Sequence, residues 1–95
     1  MSNLTRLANW YYSQCDGDWE HSYGIRIATL DNPGWHLRIN LDGTELYDKP
    51  LTPVEVTRSE TDWMYICTRD GHFDANGGPL NLEEMVEFFL QWAAS

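Results

Sequence analysis

Positive charge is scarce in this sequence: six Lys and Arg stand against fifteen Asp and Glu, a formal charge of −9. Such a chain is not built to neutralise nucleic-acid phosphates or anionic lipid headgroups, so neither is expected as a direct partner. A partner selected by this charge would be basic. Long apolar runs are also missing, none approaching the roughly 20 residues that cross a bilayer. Cysteine is limited to Cys15 and Cys67, too few for a disulfide framework. The stretch Met1–Arg6 has neither the basic region nor the apolar core of a signal peptide. A reducing cytosol is therefore the expected compartment. Internal repeats and low-complexity segments are absent, and no linker divides the chain.

What is present describes one domain over residues 1–95. Five Trp, five Tyr and three Phe supply ample apolar surface, which excludes disorder. At this length roughly 60–70% of the unfolded surface is buried on folding. Leu4, Leu7, Ala8, Tyr11 and Cys15 recur at helical spacing, with Ser2 or Asn3 as cap and Asp16-Gly17 at the end. At the other terminus Asn81 and Glu84 have capping-box spacing, and Pro79 stands just outside. The helix they open is apolar over a wide arc, with Phe88, Leu90 and Trp92 beside Leu82, Met85, Val86, Phe89 and Ala93. Such width predicts burial on more than one side, against a sheet, the first helix or another subunit.

Between the helices the period falls to two. Tyr23 to Thr29 and Trp35 to Leu41 alternate, separated by the turn Asp31-Asn32-Pro33-Gly34, where Gly is expected to supply a positive φ. Asp42-Gly43 reads as a second hairpin signal. Further strands are expected over Val54–Arg58 and Trp63–Thr68, with a short edge strand at His72–Asp74. The predicted fold is α+β: an antiparallel meander of four or five strands, with the N- and C-terminal helices packed on one face.

Chemistry-bearing residues concentrate in Cys15-Asp16-Gly17-Asp18-Trp19-Glu20-His21. An EF-hand is excluded, because position twelve counted from Asp16 is Ile27 rather than a bidentate Glu. Zinc would need Cys15, His21, Cys67 and His72, and no two of these have the tight spacing of a structural site. No metal or other cofactor is expected. Cys15 with His21 could serve a small thiol-dependent transferase or hydrolase, but no nucleophile turn, phosphate-cradling glycine loop or cofactor fingerprint accompanies them. The remaining reading is structural or interfacial. Asp16 and Asp18 satisfy turn N–H groups, and Trp19 covers the end of the core or anchors a partner. Glu60-Thr61-Asp62-Trp63 forms a second acidic–aromatic cluster, either a charged rim around a contact ring or an ordinary hairpin end.

Two strings carry a resemblance. Trp10-Tyr11-x-Ser13-Gln14-Cys15-Asp16-Gly17-Asp18-Trp19-Glu20-His21-x-Tyr23-Gly24-Ile25 and Thr29-Leu30-Asp31-Asn32-Pro33-Gly34-Trp35 resemble the immunity protein 53 family of bacterial polymorphic toxin systems. Gly77-Gly78-Pro79-x-Asn81-Leu82 and the helix that follows look like the family's end. The resemblance implies a non-catalytic antidote that binds a cognate secreted or contact-delivered toxin domain and protects the producing cell and its kin. Its acidity suits a toxin with a basic cleft, as a nuclease has. Asp16, Asp18, Trp19, Glu20, His21, Glu60, Asp62 and Trp63 are the candidate contact residues. An oligomeric regulatory subunit, using the apolar last helix, is the other non-enzymatic alternative.

Overall fold

The computed structural model describes residues 1–95 and contains three helices and five strands. Helix α1 spans Asn3–Gln14, and Ser2 caps it by accepting the Thr5 N–H at 3.1 Å. A single turn, α2 (Trp19–Ser22), follows the acidic loop. The strands are β1 (Ile25–Leu30), β2 (Gly34–Asn40), β3 (Val54–Ser59), β4 (Asp62–Arg69) and β5 (His72–Gly77). Helix α3 occupies Leu82–Ala94.

All neighbouring strands are antiparallel, in the order β1-β2-β5-β4-β3. The fold is thus the α+β arrangement expected, with one departure from a simple meander. Residues 41–53 carry the chain from the end of β2 to the far edge, and two hairpins bring it back to pair β5 with β2. Asp42-Gly43 therefore opens a long connection rather than a hairpin. Gly43 does adopt a positive φ of 74°, but its backbone passes against the Trp19 ring. The tight hairpin is instead Asp70-Gly71, where both residues have positive φ, 50° and 77°.

The expected edge strand at His72–Asp74 is in fact the centre of the sheet. Phe73 and Ala75 are both fully buried, while His72, Asp74 and Asn76 alternate onto the opposite face. A polar-looking segment can hold this place because the sheet is covered on only one side. Gly34 also differs from expectation: it is absent from the positive-φ residues, and a Cβ there would collide with the Gly77 carbonyl oxygen. Close approach of β2 to the end of β5 requires that glycine, not the turn.

The core lies between the sheet and the two long helices. Leu37, Ile39, Ile66, Phe73 and Ala75 meet Met85, Val86, Phe89 and Leu90 of α3, with Leu7 of α1 completing the cluster. Phe89 sits edge-on to Phe73 at 5.1 Å and to Trp10 at 5.0 Å. Phe88 and Trp92 pack over Phe73, and the Trp92 N–H donates to the Pro50 carbonyl. The wide apolar arc of α3 is thereby used within the chain, by the sheet on one side and α1 on the other.

Candidate functional site

The acidic loop between α1 and β1 is held by its own carboxylates. Asp16 Oδ1 accepts the N–H groups of Asp18 and Trp19, each at 2.9 Å. Glu20 reaches back to accept those of Asp16 and Gly17, at 3.0 and 2.9 Å. The pair acts as a reciprocal cap for α2, although Asp18, the residue at the helix boundary, makes no such bond. Both carboxylates are held below their ordinary pKa, Asp16 chiefly by the Trp19 N–H and then that of Asp18. For Glu20 the chief cause is its own N–H, followed by those of Asp16 and Gly17.

Trp19 is 5% exposed, and its indole N–H donates to the Asp42 carbonyl at 2.7 Å. Trp10 and Tyr11 stand edge-on to its ring. Its position closes the end of the core and ties the loop to the 41–53 connection. Asp18 and His21 are exposed and make no side-chain hydrogen bond or ion pair within the chain. Gln14 meets Glu45 nearby, and Asp42 presents its carboxylate to Gly71, so Asp16, Asp18, Glu20, Asp42 and Glu45 share one pole of the sheet. None of the five is ion-paired to Lys or Arg.

The Glu60–Trp63 cluster lies at the opposite pole. Antiparallel β4 separates the two clusters by its eight residues, about 25 Å at 3.3 Å per residue. Here the charge is partly compensated: Arg58 pairs with Asp62 at 2.8 Å and Glu84 at 2.7 Å. Asn81, 4% exposed, donates to Asp62 Oδ1 at 2.9 Å and Glu84 Oε1 at 3.3 Å, while its Oδ1 accepts the Trp63 N–H at 3.3 Å. The predicted capping box is therefore corrected. Asn81 makes no side-chain cap on α3 and instead fastens the start of that helix to the start of β4. The Asn81 amide, then Arg58, lowers the Asp62 pKa; Arg58, then Asn81, lowers that of Glu84. Glu60 is exposed, and Trp63 is half-buried on the face opposite Met64.

These four depressed carboxylates predict acid sensitivity of a definite sign. A group whose folded pKa lies below its unfolded value stabilises the fold above the unfolded value, and that contribution fades as pH falls through the folded one. From ordinary values of 3.8 for Asp and 4.5 for Glu, the melting temperature should be level from pH 7 to about 5 and fall below about 4. Thermal melts across that range test this, and a level profile down to pH 3 would contradict the assigned bonds.

The sheet face away from the helices carries a third cluster, unnoticed in the sequence. His36, Arg38 and Asn40 alternate outward on β2, beside Arg26 on β1, His72 and Asp74 on β5, and Arg69 on β4. Asp74 accepts from His36 and also pairs with Arg69 at 3.2 Å. Arg38 donates to His72 Nε2 at 2.9 Å. The period-two pattern already put Arg26 and Arg38 on the outer side of their strands. Only the pairing of β5 with β2 brings His72 and Asp74 beside them.

A family model described as Immunity protein 53 matches residues 4–94, nearly the whole chain. The chain belongs to the immunity protein 53 family. No curated protein and no solved structure matches the chain. Membership of an immunity family favours a non-enzymatic role, and the loop geometry bears on the thiol alternative: Cys15 Sγ donates to the Tyr11 carbonyl and makes no bond to His21. Cys67 is buried mid-strand in β4, and no three His, Cys, Asp or Glu residues stand together as a metal site. No helix is long and apolar enough to cross a membrane.

Proposed function

We propose that this immunity-family protein neutralises a cognate bacterial toxin domain by binding it, without catalysis, in the cytoplasm of the producing cell. The family match over residues 4–94 carries the proposal. Within that reading the pole formed by Asp16, Asp18, Glu20 and His21 is the first contact with a basic toxin surface, such as a nuclease cleft. Support comes from its uncompensated charge, whereas Arg58 offsets part of the charge at the Asp62 pole. Opposite charge accelerates encounter by about 10-fold or more at low salt, and the gain fades as salt screens it. Trp19 holds this surface in shape from beneath, and Trp63 is the more accessible ring.

The test is co-purification with the product of the adjacent gene, together with rescue of cells that express it. Asp18→Lys is expected to slow association severalfold at low ionic strength, with little change at high salt and an unaltered melting temperature. Glu60→Lys, at the opposite pole, should leave association unchanged. A neighbour without toxic activity, or a toxin that the chain neither binds nor neutralises, would remove the proposal's support.

A further inference from the structure

A protein with six Lys and Arg places three of them, Arg26, Arg38 and Arg69, on one exposed sheet face, together with two of its three His residues. No element covers this face, since α1 and α3 both pack on the other side. Arg26 and Arg38 stand directly opposite each other across the β1–β2 pair. Like charges in that position destabilise a sheet. Neither arginine has a carboxylate partner, and the one acid at the centre, Asp74, is already shared by His36 and Arg69. Asp74, in register opposite Arg38 on β5, offsets this repulsion only in part, because its ion pairs are made elsewhere.

The surface is also shaped. A hollow of about 220 Å³ is lined only by polar side chains: His36, Arg38, Arg69 and His72 together with the acids Asp70 and Asp74. A second, of about 380 Å³, shares Arg38 and His72 with it and extends over Arg26 to Ser22, Tyr23 and Gly24. It therefore runs from the basic face to the foot of the acidic loop. Tyr65, 37% exposed, lies on the same face of β4 as Arg69 and supplies aromatic surface. Arg, Tyr and Trp are the residues most often found at binding hot spots.

We propose that the helix-free sheet face centred on Arg26, Arg38 and Arg69 is a docking surface for a carboxylate-rich segment of the toxin. The inference rests on the toxin-binding reading above and extends it. One continuous footprint joins an acidic pole to a basic face, and so selects a partner whose basic region borders an acidic one. Charge complementarity favours carboxylates on a protein over a nucleic acid. A short acidic segment meets the three guanidinium groups within a Debye length of about 8 Å at physiological salt. A polyanion long enough to gain from counterion release would run past the patch into the acids at either pole. Bidentate Arg–carboxylate geometry then supplies orientation as well as attraction.

Two measurements test this, using the whole chain. The first is NMR titration with a hexaglutamate peptide and, separately, hexauridylate, following the side-chain Nε–H signals of Arg26, Arg38 and Arg69. Saturable shifts with the peptide, weakened at least 10-fold in the double variant Arg26→Ser, Arg38→Ser, support the proposal. Peptide shifts that do not saturate, or that persist in the double variant, overturn it, as does equal or tighter binding of hexauridylate. A thermal melt of the double variant, which loses the Arg38–His72 hydrogen bond as well as the like-charge pair, establishes that it is folded before affinities are compared. The second measurement is affinity for the toxin domain encoded by the adjacent gene, with cell protection as readout. Wild-type neutralisation together with at least a 10-fold affinity loss in the double variant supports the inference. Wild-type neutralisation with unchanged affinity overturns it and leaves the proposed function standing. Failure of the wild-type chain to neutralise overturns the toxin reading instead, and the peptide titration still decides whether the face takes carboxylates.

Discussion

Replacing Phe89 by Ala is expected to lower the stability of the chain by about 3–5 kcal/mol. For a domain of this size that corresponds to a fall of roughly 15–30 °C in melting temperature. The ring is fully buried and stands at the junction of three layers, against Phe73 of the sheet, Trp10 of α1 and Trp92 of its own helix. Truncation removes contacts with all three and opens a cavity that neither sheet nor helix can close without unseating the other side. Since small domains have about 5–15 kcal/mol in total, much of the native population is at stake. Urea and thermal melts followed by circular dichroism give the value directly. A loss below about 1 kcal/mol would mean that α3 is not seated as described. Any accompanying loss of protection in cells would reflect depletion of folded protein rather than a missing toxin contact.

The second large effect is expected at Trp19. Trp19→Ala should cost about 3–5 kcal/mol, comparable with Phe89→Ala, although Trp19 is also one of the candidate contact residues. The ring is buried, touches Trp10, Tyr11 and Tyr23, and ties α2 to the connection after β2 through the Asp42 carbonyl. Trp19→Phe separates support from recognition. It keeps most of the packing but loses the N–H donor, and a carbonyl left without its partner costs about 1–3 kcal/mol. The melting temperature should therefore fall, while toxin affinity measured on the folded fraction stays within about threefold, since 1.4 kcal/mol is a factor of ten and the ring offers almost no free surface. A large affinity loss at unchanged stability would instead place Trp19 at the toxin surface.

Local patterns made much of this molecule legible. Ser2, the spacing of Leu4 to Tyr11 and the apolar arc of α3 marked both long helices, because capping and 3.6-residue periodicity act over a few neighbouring residues. Alternation around Ile25 and Leu37 marked the first two strands for the same reason. The failures have a common cause. β5 looked like a short edge strand because His72, Asp74 and Asn76 are polar, and nothing nearby in sequence tells which face of a strand will be covered. Gly34 looked like a turn residue, but its constraint comes from Gly77, a long-range neighbour. Asn81 had capping-box spacing with Glu84, yet Asp62 and the Trp63 N–H compete for the same amide.

The candidate sites divide along the same line. The acidic string Asp16–Glu20 was visible in one dimension because its bonds are local, carboxylate to backbone within four residues. Its distance from Glu60–Trp63 was not visible, since strand direction decides which turns share a pole. Sequence alone determined the α+β composition, the two helices, the strand segments, the net charge of −9 and the strings that resemble the family. Tertiary structure alone decided that β5 is central, that Trp19 is buried and that half of the scarce cations gather on one face. Local energies specify elements residue by residue, whereas the order of strands follows from loop closure and from burying one face of every strand at once.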